Sequence, residues 1–149
     1  MIRSARIPDA KTIHKLLADF AREGLMLPRS LSDIYETIRD FYVFELDGEV
    51  VGTVCLHICW EDLAEVRSLA VAREQAGRGI GRQLVRACLE EARQLGLKRV
   101  FALTYQQTFF EKLGFALIAK SELPHKIWAD CLKCAKFPDC DEISMAVDL

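Results

Sequence analysis

LAVAREQAGRGIGRQLV, residues 69–85, joins the end of a predicted strand to the start of a predicted helix through a glycine-rich turn. The alternating Gly77, Gly79 and Gly81 allow positive φ angles and a close approach of the backbone to a ligand. Amides at the start of a helix lack partners within it and lie at the positive end of its dipole, which suits a phosphate group. Arg78 and Arg82 add positive charge. The glycine pattern alone fits a phosphate-binding turn and a purely structural tight turn equally well.

The position of this turn narrows the alternatives. A dinucleotide-binding unit would begin near the N-terminus and carry an acidic residue about 20 positions after the glycines. Here the turn lies in the middle of the chain, after a predicted hairpin. A P-loop would need Gly-Lys-Ser/Thr, which is absent.

Strands and helices are predicted to alternate around the turn. Asp47-Gly48 between two hydrophobic runs is a strong hairpin signal. Strands are predicted at residues 2–6, 41–46, 49–60, 63–71, 99–103, 115–119 and 143–147, and helices at 8–23, 30–39, 80–95, 108–113 and 126–132. A period of two along 63–71 places one set of side chains on a common face: Leu63, Glu65, Arg67, Leu69 and Val71. This order predicts a mixed sheet flanked by helices, of class α/β or α+β.

Composition limits the class of protein further. The 149 residues are 51% hydrophobic and 28% charged, with a formal net charge of −2, which is typical of a single folded domain spanning residues 1–149. A general nucleic-acid-binding protein would carry excess positive charge. No segment resembles a signal peptide or the roughly 20 apolar residues of a membrane helix. We therefore expect a cytoplasmic protein with reduced cysteines that contacts neither nucleic acid nor membrane.

Two motifs resemble the GCN5-related N-acetyltransferases (GNAT). The triplet Leu69-Ala70-Val71 followed by residues 76–81 is similar to the central motif of the family, with Ala76 where the family has Gln or Arg. The segment FFEKLGF, residues 109–115, is similar to the Phe-Tyr-Glu-Lys-Leu-Gly-Phe box. The resemblance covers nearly the whole chain. It implies a mostly antiparallel central sheet, acetyl-coenzyme A as co-substrate and, as is common in the superfamily, a homodimer.

The same resemblance assigns the cofactor site. The end of the strand would hold the pantetheine arm through Leu69, Ala70 and Val71. The pyrophosphate would lie on Gly77, Arg78, Gly79, Ile80, Gly81 and Arg82. Phe110 would belong to this site, at the position of the usual tyrosine of the family.

Acetyl transfer to an amine needs a base, a donor for the thioester oxygen and a departing thiolate. Glu65 is the predicted base, acting through water, and a structural ion pair with Arg67 is the equally weighted alternative. By resemblance, the Leu69 amide is the oxyanion donor. Phe110 has no proton to give, and packing is favoured over an acid role for Tyr105. Because a thiol has a pKa near 8.5, the thiolate is able to leave unprotonated.

The loop GLMLPRS, residues 24–30, resembles a segment in the acetyltransferase domain of N-acetylglutamate synthases. The resemblance implies an acceptor site formed by Leu27, Arg29, His57 and Arg67, in which Arg29 and His57 hold carboxylates. A planar guanidinium suits that task, because it binds a carboxylate through two parallel bonds. The alternatives are a solvated loop charge for Arg29 and a packed histidine for His57, which replaces an expected lysine. The chain would be a short form without the kinase-like domain, so inhibition by arginine is not assumed.

Three hypotheses of function follow from these residues. The first is transfer of acetyl to the α-amine of L-glutamate, the entry to arginine biosynthesis. The second keeps acetyl-coenzyme A but uses another small amine or a protein amine. The third is a non-catalytic acetyl-coenzyme A sensor, favoured by Phe110 and Ala76.

The cysteine-rich tail is a weaker candidate site. His125, Cys131, Cys134 and Cys140 offer zinc ligands, since Cys-x2-Cys is a good chelating pair. A second such pair is missing, so reduced thiols are the favoured interpretation. Cys55, Cys59 and Cys88 are predicted to be packing residues.

Overall fold

The computed structural model describes residues 1–124, 127 and 142–149. Its described part is a seven-stranded sheet with helices on both faces. The strands are β1 (Ile2–Ser4), β2 (Phe41–Leu46), β3 (Glu49–Trp60), β4 (Leu63–Val71), β5 (Arg99–Thr104), β6 (Ala116–Ile118) and β7 (Ile143–Asp148). The helices are α1 (Ala10–Arg22), α2 (Leu31–Glu36), α3 (Ile80–Gln94) and α4 (Gln107–Glu111).

The strand order is β1-β2-β3-β4-β5-β7-β6. All neighbouring strands are antiparallel except β4 and β5, which run parallel. A parallel pair needs a crossover connection, and α3 provides it. The predicted α/β class with a mixed, mostly antiparallel sheet is confirmed.

Each face of the sheet buries a separate hydrophobic cluster. The apolar side of α3, with Leu84, Val85 and Cys88, packs on one face. The helices α1 and α2 cover the other face through Ile13 and Ile34. Burial of these stripes, rather than helix propensity, holds the layers together.

Three strands, β2, β3 and β4, have the predicted bounds, whereas short elements differ. The strand predicted at 2–6 ends at Ser4, because the Arg6 amide donates to the Asp9 carboxylate at 2.7 Å and a 3-10 turn begins at Ile7. The helix predicted at 30–39 is capped by Ser30 as expected but ends at Glu36, and a separate 3-10 turn follows. The helix predicted at 126–132 lies outside the described residues except for Ile127.

The predicted alternation along β4 is wrong beyond its middle. Thr53 pairs with Ala70 but Cys55 pairs with Arg67, so β4 contains one extra residue, a β-bulge. Ser68 within the bulge has a φ of 57°. After the bulge, the side chains of β4 alternate between the two faces of the sheet in the opposite order from the one predicted. Val66, Leu69 and Val71 pack towards α3, whereas Leu63 and Ala70 belong to clusters on the opposite face. Glu65 and Leu69 therefore lie on opposite faces.

No helix among the described residues combines the length and the apolarity that crossing a membrane requires.

Candidate active site

A cleft of about 720 Å³ opens where β4 and β5 separate. Their parallel pairing ends at Glu65 and Phe101, although β4 continues to Val71 and β5 to Thr104. Beyond that point the strands have no ladder between them, so backbone groups at the end of β4 are exposed to a ligand. The cleft is thus a wedge between the diverging ends of β4 and β5. The glycine-rich turn before α3 and the helix α4 form its other sides.

The turn before α3 presents a row of backbone donors. Gly77 and Gly79 have φ angles of 81° and 77°, the left-handed conformation that only glycine adopts without strain. The first amide of the helix with a protein acceptor is that of Gln83, which donates to the Gly79 carbonyl at 3.1 Å. Among the described residues, no protein acceptor binds the amides of residues 77–82. Such a row at a helix N-terminus suits a pyrophosphate.

Arginine adds charge to this row of amides. Arg82 lines the cleft, and a Cβ built on Gly79 would lie 3.3 Å from its Nη2 atom, so the guanidinium lies directly over the turn. Arg78 is exposed on the turn itself. Gly81 and Ile80 also line the cleft. The donors and cations together fit the diphosphate of coenzyme A.

An apolar wall continues from the turn into the wedge. Leu69, Ala70 and Val71 line it from β4. Phe110 lines it from α4, is only 4% exposed, and packs edge-on against Phe109 with ring centroids 5.0 Å apart. Phe110 is therefore a packing residue of the wall and offers no acidic proton.

Glu65 and Arg67 form an ion pair at the edge of the cleft. Arg67 donates to Oε1 of Glu65 from Nη2 at 2.6 Å and from Nε at 3.1 Å. Arg67 lines the cleft, whereas Glu65 is 7% exposed and stands behind it. Both functions predicted for Glu65 are consistent with this geometry, because an ion-paired carboxylate beside a cleft still reaches it through water.

Three of the four predicted acceptor residues are joined to the same stretch of β4: Arg67 lies in it, Arg29 binds Ser68, and His57 pairs with Glu65. His57 lies opposite Glu65 on the neighbouring strand, with Nδ1 3.9 Å from a carboxylate oxygen of Asp40. Leu27 is 46% exposed and is absent from the cleft lining. Arg29 is also absent from the lining, and its guanidinium donates to Asp33, Ser68 and Thr37. Arg67 alone of the four lines the cleft.

The cleft is also lined by several residues that the sequence analysis did not predict as site residues. Phe109 packs against the first turn of α3, 3.5 Å from a Cβ built on Gly81, and its place in the FFEKLGF box was a usable signal. Thr104 is the last residue of β5 and lines the cleft, and its hydroxyl accepts a hydrogen bond from the Gln106 amide at 2.8 Å. Gln75 and Glu142 also line the cleft. Nothing local marks these three, since only the tertiary fold brings them to the wedge.

Nothing among the described residues supports metal binding or a reactive thiol. No group of three metal-ligating side chains occurs there, and the tail residues His125, Cys131, Cys134 and Cys140 lie outside them. Cys55 and Cys88 are free and buried. Burial raises the pKa of the Cys55 thiol to about 11 and also raises the pKa of Cys88. Both thiols stay protonated at neutral pH and act as packing residues.

Comparison with known proteins gives the class of this fold and site. The sequence matches the Acetyltransferase (GNAT) family over residues 10–115. It is 42% identical to the uncharacterized N-acetyltransferase CT2212 of Chlorobaculum tepidum, over 99% of this chain and 96% of that protein. It is 40% identical to an amino-acid acetyltransferase of Mycobacterium tuberculosis, over 79% of this chain and 69% of that protein.

A solved structure shows the same likeness. N-acetylglutamate synthase from Neisseria gonorrhoeae, complexed with coenzyme A and N-acetyl-glutamate, superposes with a TM-score of 0.91 at 26% identity. The match covers all of this chain and 35% of that protein.

The chain belongs to the GNAT family of acetyltransferases. It is an enzyme of that class, and acetyl-coenzyme A is its co-substrate. The predicted family, enzyme class and cofactor are confirmed.

Proposed function

We propose that this acetyltransferase moves the acetyl group of acetyl-coenzyme A onto the α-amine of an amino acid, and that the amino acid is L-glutamate. The observation that carries the proposal is the position of Arg67. It places a guanidinium in the wall of the cleft, beside the strand end that receives the cofactor. The names of the M. tuberculosis relative and of the N. gonorrhoeae synthase support an amino-acid acceptor.

The cofactor site uses backbone more than side chains. The amides of residues 77–82 and the Arg82 guanidinium bind the pyrophosphate, and the end of β4 binds the pantetheine arm. Bound acetyl-coenzyme A supplies the activated thioester. The Leu69 amide donates to the oxygen on which charge builds during attack, which is the kind of preorganised stabilisation that contributes most to such reactions.

The acceptor binds on the side of β4 that carries the ion pair. Arg67 and His57 attract its carboxylates, and Glu65 removes a proton from its ammonium through a water molecule. A fixed guanidinium orients the amine towards the thioester and so lowers the entropic cost of reaction. In this proposal the enzyme performs the entry step of arginine biosynthesis in the cytoplasm.

Thiol release from acetyl-coenzyme A, measured with a panel of amino acids, tests the proposal. We expect the kcat/KM for L-glutamate to exceed that for L-glutamine by about tenfold or more, since a cation left without its carboxylate in the acceptor site costs about 1–3 kcal/mol. We expect a similar preference over L-aspartate, whose side chain is one methylene shorter and holds its carboxylate farther from the same cation. The variant Arg67→Gln should lose this preference, whereas Arg22→Ala, a change of an exposed arginine on α1, should keep it. A different preferred amino acid would overturn glutamate as the acceptor.

A further inference from the structure

A second, open groove of about 660 Å³ runs along the exposed side of α3. Lys112 and Leu113 line both this groove and the cleft, so the two are continuous. Among the described residues that line the groove, three are cations, Arg86, Arg93 and Lys112, and one is a carboxylate, Glu90. The groove therefore carries positive charge where it leaves the cleft.

The local structure of α4 brings Lys112 beside the start of α3. Lys112 ends α4, and its amide donates to the Thr108 carbonyl at 3.2 Å. It lies three positions after Phe109, and residues three apart share one face of a helix. The Phe109 ring lies 3.5 Å from a Cβ built on Gly81, so this face is turned towards the first turn of α3. Lys112 therefore extends from α4 on the side that faces α3.

Arg86 continues the positive charge of the glycine-rich turn along α3. It lies four positions after Arg82, which places both on one side of the helix and about 6 Å apart along its axis. Farther along, Arg93 lies 3.7 Å from the carboxylate of Glu90. In the part of the chain that the structure describes, no carboxylate pairs with Arg86 or Lys112. Both side chains are exposed and free to bind an anion.

Coenzyme A carries a second anionic group close to its pyrophosphate. The pyrophosphate is joined to a ribose, and the 3′-oxygen of that ribose holds a phosphate monoester. Such a monoester, with a second pKa of about 6, has a charge of roughly −1.5 to −2 at pH 7. Guanidinium and ammonium groups bind phosphate through charge-assisted hydrogen bonds. With the pyrophosphate at the turn, the next cations along α3 and α4 are Arg86 and Lys112.

We propose that Arg86 and Lys112 form a subsite for the 3′-phosphate of coenzyme A, through which the enzyme discriminates against cofactors that lack this group. The inference rests on the proposed function in one respect, the binding of the pyrophosphate on the turn before α3. The pantetheine arm leaves the pyrophosphate on the other side, so the subsite is remote from the thioester. It contributes affinity for the cofactor and takes no part in acetyl transfer.

Calorimetric titration with coenzyme A and with 3′-dephospho-coenzyme A tests the subsite. We expect the unchanged protein to bind coenzyme A about tenfold more tightly. This ratio should fall to about threefold in Lys112→Ala and in Arg86→Ala, and to about one in the double variant, with the Kd for dephospho-coenzyme A constant within about twofold. Lys112→Arg should keep the ratio. Equal affinities of the unchanged protein for the two nucleotides would overturn the proposal, as would a ratio that both alanine variants leave intact.

Two exposed cations on α1 provide matched controls. Lys15→Ala and Arg22→Ala each remove one positive charge on the opposite face of the sheet, and both should keep the ratio of the unchanged protein. Higher salt should reduce that ratio, since the Debye length falls from about 10 Å at 0.1 M to about 3 Å at 1 M. A loss of the ratio in the controls as large as in Lys112→Ala would assign the effect to net charge and overturn the subsite.

The titration contains no acceptor, so its outcome is separate from the identity of the acceptor. Gly79→Ala, which strains the turn, should weaken the binding of both nucleotides by the same factor, whereas Lys112→Ala should weaken only coenzyme A. If Gly79→Ala binds both normally, the position of the pyrophosphate is wrong while the 3′-phosphate subsite stands. In steady-state assays Lys112→Ala should raise the KM for acetyl-coenzyme A about threefold at constant kcat. A lower kcat with an unchanged KM would contradict a binding role.

Discussion

Arg67 binds a single carboxylate oxygen of Glu65 with two guanidinium nitrogens, Nη2 at 2.6 Å and Nε at 3.1 Å. The side chain of Arg67 is 26% exposed and that of Glu65 is 9% exposed, so the cation faces the cleft and the carboxylate lies behind it. An acceptor carboxylate would meet Arg67 first. The base proposed for the reaction is thus adjacent to the cation proposed for substrate binding.

Replacing Glu65 by Gln should lower kcat at neutral pH by about 100-fold, the lower end of what general base catalysis contributes. The loss should shrink as pH rises, because more of the acceptor amine is then already deprotonated. Initial rates of thiol release from pH 6 to 9 measure this. Glu49→Gln, at an exposed position on β3, is the control and should behave as the unchanged enzyme. A rate for Glu65→Gln that is normal at pH 7 would leave the ion pair as a purely structural feature.

Replacing Gly79 by Ala should raise the KM for acetyl-coenzyme A by about tenfold. The added Cβ forces strain at a φ of 77° and meets the Arg82 guanidinium at 3.3 Å, and the strain alone is worth about 1–2 kcal/mol. Gly48→Ala is the matched control, since Gly48 has a φ of 80° in the hairpin turn, with nothing within 4 Å of its Cβ position. Both variants should lose stability in urea unfolding, and Gly79→Ala alone should lose affinity for the cofactor. Similar KM values for the two would argue that the turn does not hold the pyrophosphate.

Replacing Tyr105 by Phe should change kcat by less than about threefold. The thiolate of coenzyme A, with a thiol pKa near 8.5, needs no proton to leave, so neither Tyr105 nor Phe110 has to act as an acid. Steady-state rates with saturating acetyl-coenzyme A measure the effect. A fall in kcat of about 30-fold or more in Tyr105→Phe would instead assign the acid to that hydroxyl.

The protonation state of Asp9 makes the stability of the fold depend on pH. Hydrogen bonds from Arg3, at 2.8 and 3.0 Å, hold the pKa of the Asp9 carboxyl below its ordinary value, helped by the Arg6 amide. A folded-state pKa below the unfolded one means that the unfolded chain binds more protons in acid. The stabilisation is therefore present above about pH 4 and lost as pH falls through the folded-state pKa.

The variant Asp9→Asn should lose about 2 kcal/mol of unfolding free energy at pH 7, as expected for hydrogen bonds to a charged group. The difference from the unchanged protein should shrink towards pH 3. Urea unfolding at both pH values measures this, with Asp19→Asn, 44% exposed, as control. A constant difference at the two pH values would contradict the linkage.

The sequence predicted those parts of the molecule that local chemistry determines. Asp47-Gly48 set the hairpin, with φ angles of 52° and 80°, and the hydrophobic runs on either side set β2 and β3 to the residue. Gly77 and Gly79 adopt the left-handed conformations that their pattern indicated. These features depend on backbone geometry within a few residues, which is what sequence patterns report.

The acceptor side of the cleft could not be predicted, because the features that shape it leave no local pattern in the sequence. A serine at positive φ cannot be recognised from its neighbours, so the bulge at Ser68 was not predicted, and the faces of Glu65 and Leu69 were assigned wrongly. The partners of Arg29 lie up to 39 positions away along the chain. Such long-range contacts cannot be read from the sequence around Arg29.

A crystal structure with acetyl-coenzyme A tests the central claim most directly, because that claim concerns a specific row of backbone donors. We predict the pyrophosphate oxygens within hydrogen-bond distance of the amides between Gly77 and Arg82, with the pantetheine arm between β4 and β5. A cofactor bound elsewhere, with those amides donating to the protein's own groups, would contradict the account.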